Sequence, residues 1–444
     1  IVFSMYKPIA EDDDKTICAL MNLYRKLYRI IGCIILAIGI MLMPFLDHFI
    51  KGTYPGDINI YILYLLYLSN TVIGYFIFAY KSALLYAHQR NALISNINSI
   101  ICLLQNTAQI IILIIFQNYY LFILIMPICT IINNIGIAIV VNKLYSQYSC
   151  KGTLSKETIN NIIQKVKGLM ITKVCNTTRN AFDSIFISSY IGLTAVAIYS
   201  NYYYIMAAIL SILTIITSSM TGGIGNSIVL ESVEKNYNDM RKFNFIYSWI
   251  SGVFTVCLLC LYQPFMKLWV GESMMYPMHI VIAFCMYFYA MTLGGIRAVY
   301  HDAAGLWWEA RYRAIIESIL NLSLNWILTP LFGVLGTIVG TLISLLIVNY
   351  GYGTKILFDY YFKEYKIKTF FLDHLRYTIV AVISCIIVYY CTIIIPGNNA
   401  ISFILKAIIC LVLSNIIFFI AYRKSDLYMQ SKGMLISVLE HKQL

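Results

Sequence analysis

The segment KVCNTTRNAFDSIF, residues 173–186, places charged and amide side chains in a stretch otherwise apolar enough to cross a membrane. At 100° per residue its polar side chains fall on one helical face, with Arg179 at the margin. Those side chains are Lys173, Asn176, Thr177, Asn180, Asp183 and Ser184. Guanidinium and ammonium groups bind phosphate oxygens well, so this face would suit an anionic ligand.

Arg179 and Asp183 lie deep in this stretch. Counted from Gly168 at about 1.5 Å per residue, they are roughly 16 Å and 22 Å along the helix. An ionised side chain at the centre of a spanning helix costs roughly 2.5–3.5 kcal/mol, so it is usually kept for a task. Two interpretations stay open: an i,i+4 ion pair that steadies the helix, or a face that lines a hydrated cavity. Asp183 is also a candidate for ion coupling.

Two further charged residues stand in apolar stretches. Glu317 shares a helical face with Asn321 and Asn325, and its carboxyl group would carry a coupling proton or pair with Arg313. Arg297 lies at the cytoplasmic end of its stretch. Amides that bond across helices explain most such asparagines without a ligand.

The elements that position these residues are membrane helices. The chain has 444 residues, of which 60% are hydrophobic and 12% charged, outside the range of a soluble globular protein. Windows of roughly 20 apolar residues are what a helix needs to cross the bilayer, and twelve such windows predict an all-α integral membrane protein. They are about 28–50, 59–80, 93–116, 120–142, 168–190, 193–221, 246–266, 277–297, 314–332, 334–353, 376–395 and 401–422.

The basic residues predict which ends of these windows face the cytoplasm. If residues 7–29 are cytoplasmic and the helices alternate, 27 of the 32 lysines and arginines fall on the cytoplasmic side. Only Lys51, Lys267 and Lys406 fall on the other side. This is the positive-inside distribution of a multi-pass protein, so the net charge of +12 does not indicate a nucleic-acid partner.

An internal repeat predicts two related halves. An offset of 220 residues aligns Gly32 with Gly252 and Pro44 with Pro264, among other matches in the same order. The second half begins near Gly168, so its counterpart would precede the first residue given. We therefore expect two helices, on the order of 55 residues by this repeat, before the chain described here.

These observations predict four regions. Residues 1–145 would form an N-terminal lobe without its first two helices, and residues 168–354 a C-terminal lobe. Residues 146–167 would form a cytoplasmic linker helix that Ser155 caps at its start. Residues 355–444 would add two further spanning helices and a cytoplasmic tail. The intact protein would then have two pseudo-symmetric six-helix lobes plus two C-terminal helices.

No motif predicts catalysis, a cofactor or a resident metal. The acidic run at 11–14 has no second acidic cluster to complete a metal site. The glycines at 221–225 lack the lysine and preceding strand of a phosphate loop. His301 and Asp302 have no nucleophile nearby in the sequence. We therefore expect a protein that is not an enzyme.

Four segments resemble a known family. They are YKPIAEDDDKTICALMNLYRKLYRIIG at 6–32, TKVCNTTRNAFDSIFISSYIGLTAVAIYSNYYYI at 172–205, DAAGLWWEARYRAIIESILNLSLNWIL at 302–328 and GVLGTIVGT at 333–341. With these the chain resembles the polysaccharide-biosynthesis flippases, which move O-antigen and capsule repeat units, of the multidrug/oligosaccharidyl-lipid/polysaccharide exporter superfamily. The resemblance covers essentially the whole chain.

The resemblance implies two six-helix lobes around a cavity that opens to each side of the bacterial cytoplasmic membrane in turn. Its cargo would be an oligosaccharide on an undecaprenyl pyrophosphate carrier. Membrane lipids and the polysaccharide polymerase machinery would be partners. Residues 168–190 match the seventh family helix, so Lys173 and Arg179 would engage the pyrophosphate and sugars, with Arg297 near the cytoplasmic mouth.

Three alternatives remain open. A lipid II flippase of the same superfamily is barely distinguishable by sequence. A multidrug exporter would use acidic or aromatic cavity residues, whereas the buried charges here lean basic. A membrane polysaccharide polymerase or ligase would present a large outer loop, but the longest outer connection, residues 49–58, is short.

Overall fold

The computed structural model describes residues 5, 8–9, 11–46, 59–88, 90–395 and 399–440. At residues 91, 161, 164–173, 176, 179–180, 229 and 435–440 it describes the backbone alone. Throughout these parts of the chain the regular structure is helical. The all-α prediction is confirmed.

The helices are named here in chain order. They are α1 (Asp14–Leu42), α2 (Ile60–Phe76), α3 (Ser82–Ala87), α4 (Asn91–Ile115), α5 (Tyr119–Leu144), α6 (Lys156–Tyr190), α7 (Leu193–Leu230), α8 (Val233–Trp269), α9 (Met278–Thr292), α10 (Gly295–Ala303), α11 (Arg311–Phe332), α12 (Val334–Ser344), α13 (Gly353–Tyr360), α14 (Ile367–Ile393), α15 (Ala400–Tyr422) and α16 (Asp426–Glu440). A π-helical segment, Leu345–Tyr352, joins α12 to α13.

Among the described residues, ten helical stretches are long and apolar enough to cross a membrane. An eleventh is the pair Ile60–Phe76 and Ala79–Ala87, bent by 47° at Phe78, which adopts a positive φ of 51°. These eleven match eleven of the twelve predicted windows. The remaining window, residues 168–190, lies in α6, which is not among these stretches. The chain is a multi-pass membrane protein.

The described residues form two compact units, one of residues up to 167 and the other of residues from 168 onward. The boundary falls inside α6, a helix of 35 residues. The amide of Thr158 donates to Ser155 Oγ at 3.2 Å, so Ser155 caps the start of α6 as predicted.

In the first unit, α1 and α2 approach closely at glycines. A Cβ on Gly39 would overlap the side chain of Leu68, and one on Gly32 would stand 2.7 Å from the Phe76 ring. The Tyr64 hydroxyl donates to the Gly39 carbonyl at 2.8 Å. Small residues allow such contact between membrane helices, where packing replaces the hydrophobic effect as the driving force.

In the second unit, α11 and α12 form the tightest contact. Gly333 turns the chain with a φ of 62°, a conformation that favours glycine. One and two turns later, Gly336 and Gly340 face α11, and a Cβ on Gly336 would overlap the Leu328 carbonyl. The two backbones therefore lie close enough for short polar side chains to bond between them.

We predict that Gly336→Ala destabilises this unit. The added methyl group would collide with backbone, which cannot rotate away, and overpacking typically costs about 1–3 kcal/mol. Gly222→Ala in α7 is the matched control, since a Cβ there meets nothing within 4 Å. Thermal unfolding in detergent should show a lower Tm for Gly336→Ala alone. Equal Tm values for both variants would contradict the close packing.

Candidate functional site

The structure describes three of the predicted site residues with their side chains: Asp183, Arg297 and Glu317. The backbone of α6 carries the other four, but the side chains of Lys173, Asn176, Arg179 and Asn180 lie outside the described residues. Their contacts, including the i,i+4 pair of Arg179 with Asp183, therefore remain predictions.

The Asp183 carboxylate is surrounded by three hydrogen-bond donors. Asp183 and these donors, Tyr199, Asn325 and Thr341, are here called the carboxylate cluster. The Asp183 side chain is buried, with 1% of its surface exposed. Its oxygens accept from Asn325 Nδ2 at 2.6 Å, Thr341 Oγ1 at 3.0 Å and Tyr199 Oη at 3.2 Å. Three donors on one carboxylate stabilise its ionised form, because hydrogen bonds to a charged group are roughly twice as strong as neutral ones.

The close contact of α11 and α12 assembles this cluster. Asn325 on α11 and Thr341 on α12 meet at the same carboxylate because Gly340 leaves room between the helices. A Cβ at Gly340 would stand 2.7 Å from Asn325 Oδ1. One turn earlier, Asn321 Nδ2 donates to Thr341 Oγ1 at 2.9 Å and fixes the hydroxyl that serves Asp183.

The carboxylate cluster has the composition of a site for a small cation. Asn325 Oδ1 is buried and has no hydrogen-bond partner among the described residues. It stands beside one carboxylate and a threonine hydroxyl, and oxygen ligands of this kind suit hard cations. No group of three or more His, Cys, Asp or Glu that could hold a metal occurs in the described part of the chain. One ionised carboxylate with neutral oxygen atoms nearby fits a weakly held monovalent cation.

A second buried group, here called the arginine cluster, comprises Arg297, Arg313, Glu317 and Asn349. Glu317 Oε2 accepts from Arg313 Nη1 at 3.3 Å and from Asn349 Nδ2 at 3.1 Å. Asn349 Oδ1 in turn accepts from Arg297 Nη2 at 3.0 Å. Glu317 is thus paired with Arg313, one of the two roles that the sequence left open for it.

The arginine cluster holds more positive than negative charge. Two guanidinium groups face one carboxylate, and Arg297 and Glu317 expose only 3% and 2% of their surfaces. The Nε atoms of Arg297 and Arg313 are buried without a hydrogen-bond partner in the described residues. Asn349, which links Arg297 to Glu317, lies on the π-helical segment. Such segments are found frequently at functional sites.

The two clusters share one stripe of α11. Glu317, Asn321, Asn325 and Thr329 are all buried and recur every four residues, so they span about 18 Å at 1.5 Å per residue. The sequence predicted that amides on this face bond across helices, and the contacts of Asn321 and Asn325 confirm it.

The polar face of α6 does not lie in one environment. Asp183 is buried within its own unit, whereas Thr177 on the same helix is exposed.

Sequence reasoning missed Tyr199, Thr341 and Asn349. Thr341 stands in GVLGTIVGT and Asn349 is the one amide in an apolar run, but Tyr199 is one of 37 tyrosines and carried no signal.

Solved structures of two kinds of membrane transporter share this fold. The lipid II flippase MurJ, in an inward closed conformation, matches with a TM-score of 0.61 and 18% identity over 93% of this chain and 85% of that chain. An inward-facing multidrug resistance MATE family transporter of the MOP superfamily matches at 0.60 and 14% over 80% and 84%. An outward-facing one matches at 0.51 and 13% over 84% and 81%. No family model and no curated protein matches the chain.

Proposed function

We propose that this protein is a flippase that moves an undecaprenyl-pyrophosphate-linked oligosaccharide across the bacterial cytoplasmic membrane by alternating access. Its product would serve cell-surface polysaccharide synthesis. The observation that carries the proposal is the MurJ-like fold over 93% of the chain, because MurJ is a flippase for a lipid-linked cargo. The segments that resemble polysaccharide flippases favour an oligosaccharide as the cargo.

The physics of the cargo requires a wet, cationic path. A pyrophosphate cannot enter hydrocarbon without a large desolvation cost, which a hydrated groove with basic side chains would offset. The prenyl tail would stay in lipid, and rocking of one lobe against the other would change the side on which the groove opens. Consumption of the product by polymerase machinery outside would favour export.

Lys173 and Arg179 are the proposed contacts to the pyrophosphate, and Asn176 and Asn180 would donate to phosphate or sugar oxygens. Arg297 is a proposed cargo contact in one conformation only. Its guanidinium is buried and donates to Asn349, so it would reach the cargo only in a conformation that opens the arginine cluster.

Asp183 and Glu317 are the proposed ion-coupling residues. Both carboxylates are buried in polar networks that join different helices of one unit. A proton or cation at either carboxylate would change the charge balance of its network. Coupling of this kind lets an ion gradient bias a conformational equilibrium by the difference in ion affinity between the two states.

The second candidate is a lipid II flippase, which the similarity to MurJ favours directly. A multidrug exporter has the support of the MATE matches. A panel of cargoes in proteoliposomes separates the three: an undecaprenyl-pyrophosphate oligosaccharide, lipid II and a cationic dye. Transport of the dye alone would overturn the flippase proposal.

We predict that Arg179→Ala lowers transport of the oligosaccharide cargo by about tenfold or more. A charge-assisted hydrogen bond contributes roughly 1.5–3 kcal/mol, and 1.4 kcal/mol corresponds to a factor of ten. Lys173→Ala should lower it less, because a lysine nearer the cytoplasm extends toward water. The measurement is cargo flipped per reconstituted protein.

Ile185→Ala is the matched control, because Ile185 is exposed on the same helix but points away from its polar face. It should transport at the unmodified rate. Undiminished transport in both Arg179→Ala and Lys173→Ala would return these residues to a structural role within α6.

A further inference from the structure

A basic cavity lies outside the two clusters, at an end of the second unit that the distribution of basic residues predicts to be cytoplasmic. It has a volume of about 530 Å³ and lies where α13 ends and α14 begins. Its lining residues are Lys355, Phe358, Asp359, Lys363, Tyr365 and Ile367. None of them belongs to the proposed cargo path or to the coupling networks.

The walls of this cavity are fixed by the core. Phe362, in the middle of the connecting loop, is fully buried, and its amide donates to the Leu357 carbonyl at 3.1 Å. The Tyr365 ring stacks on Tyr237 of α8 with 3.8 Å between centroids. The loop is thus held at two points, so the cavity is a feature of the packed unit.

The two lysines of the cavity are available to a ligand. Neither Lys355 nor Lys363 forms an ion pair in the described residues, although Asp359 stands one turn from Lys355 on α13. A surface i,i+4 pair of lysine and aspartate is otherwise common on a helix. Two ammonium groups and one carboxylate line the cavity, and the carboxylates of Glu234 and Glu364 act on Tyr365 from nearby.

This mixture of charges fits one phosphodiester better than a pyrophosphate. A phosphodiester carries a single negative charge, whereas a pyrophosphate carries at least two and would meet stronger repulsion from the nearby carboxylates. The carboxylate of Asp359 would repel a bare phosphate, but it would accept a hydrogen bond from a hydroxyl on the same ligand.

A row of exposed apolar side chains lies on α14, the helix whose first residue lines the cavity. Leu372, Leu375 and Ile379 follow one another at helical spacing and expose 43%, 54% and 50% of their surfaces. The row begins five residues after Ile367, on a helix long and apolar enough to span the membrane. Acyl chains would cover this row while a headgroup occupied the cavity.

We propose that this cavity binds an anionic phospholipid with a hydroxylated headgroup, of the phosphatidylglycerol class, from the cytoplasmic leaflet. Lys355 and Lys363 contact its phosphodiester, and Asp359 accepts from its glycerol hydroxyl. Basic pockets between spanning helices on the cytoplasmic side bind anionic headgroups by this chemistry.

Tyr365 supplies a neutral donor to the same site. Partial burial, with the carboxylates of Glu234 and Glu364, raises the pKa of its hydroxyl above the ordinary value. The hydroxyl therefore stays protonated across the physiological range.

The test counts lipids that remain bound to the full chain in native mass spectrometry, after reconstitution with equal parts of phosphatidylglycerol and phosphatidylcholine. The double variant Lys355→Gln/Lys363→Gln should lower the affinity for phosphatidylglycerol about 25-fold, and the retained lipid with it, since each of the two lysines contributes about fivefold. Retained phosphatidylcholine should not change. Because both lysines are exposed, the variant should keep its Tm.

Lys366→Gln/Lys368→Gln is the matched control, because it removes two charges from the same stretch without touching the cavity lining. A similar loss in both double variants would mean a diffuse basic surface and would overturn the site. No loss in the cavity variant would also overturn it.

Added inorganic phosphate or pyrophosphate should leave the lipid bound, and displacement by either would assign the cavity to a soluble anion. In Asp359→Asn, the preference for phosphatidylglycerol over phosphatidic acid should fall, and an unchanged preference would exclude the role of Asp359.

Discussion

Glu317→Ala should lower the free energy of unfolding by about 3–5 kcal/mol, the cost of removing one partner from a buried ion pair. The substitution removes the carboxylate from the arginine cluster and leaves Arg297 and Arg313 facing each other. It also leaves Asn349 Nδ2 without this acceptor. Chemical unfolding in detergent, followed by tryptophan fluorescence, measures the loss.

Two comparisons isolate the electrostatic cause. Glu231→Ala breaks an exposed i,i+4 pair with Lys235 and should cost only about 0–1 kcal/mol, as surface pairs do. The double variant Glu317→Ala/Arg313→Ala should cost less than the sum of its single variants, because it removes one of the stranded charges. Strict additivity, or a Glu317→Ala cost no larger than that of Glu231→Ala, would disprove the pairing.

Asp183→Ala should lower the free energy of unfolding by about 2–5 kcal/mol and stop transport. It leaves the donors of Tyr199, Asn325 and Thr341 without their shared acceptor, and hydrogen bonds between membrane helices average about 0.6 kcal/mol with a maximum near 1.7. Ser184→Ala is the control. Ser184 is the next residue on α6 and is only half-buried, so its substitution should change the free energy of unfolding little.

Asp183→Asn separates stability from coupling. An asparagine has nearly the same size and keeps one acceptor oxygen, so most of the stability should remain. It cannot take up a proton or balance a cation, so transport should lose its dependence on a proton or sodium gradient. The measurement is cargo flipped with and without each gradient. If the variant keeps the gradient dependence, the coupling ion binds elsewhere and Glu317 becomes the residue to test.

Glu317 and Asp183 show how much of the candidate site helical periodicity can predict. The spacing of Glu317, Asn321 and Asn325 predicted one polar stripe on α11, and the pairing with Arg313 needed only helix geometry. Asp183 was predicted as a deep charged residue for the same reason. Its actual acceptor role toward Thr341 and Tyr199 was not predicted, because these residues lie 158 and 16 positions away on other helices.

The sequence by itself determined the membrane helices and the polar face of α11, and it predicts which side faces the cytoplasm. Those properties follow from hydrophobicity, charge and a period of 3.6 residues, all of which are local. Only the tertiary structure decided which side chains meet: Gly336 and Gly340 bring α11 and α12 close, so Thr341 and Asn325 reach Asp183, and the π-helical segment brings Asn349 to Glu317. Close packing joins residues from distant parts of the chain, and no local pattern encodes which helices will be neighbours.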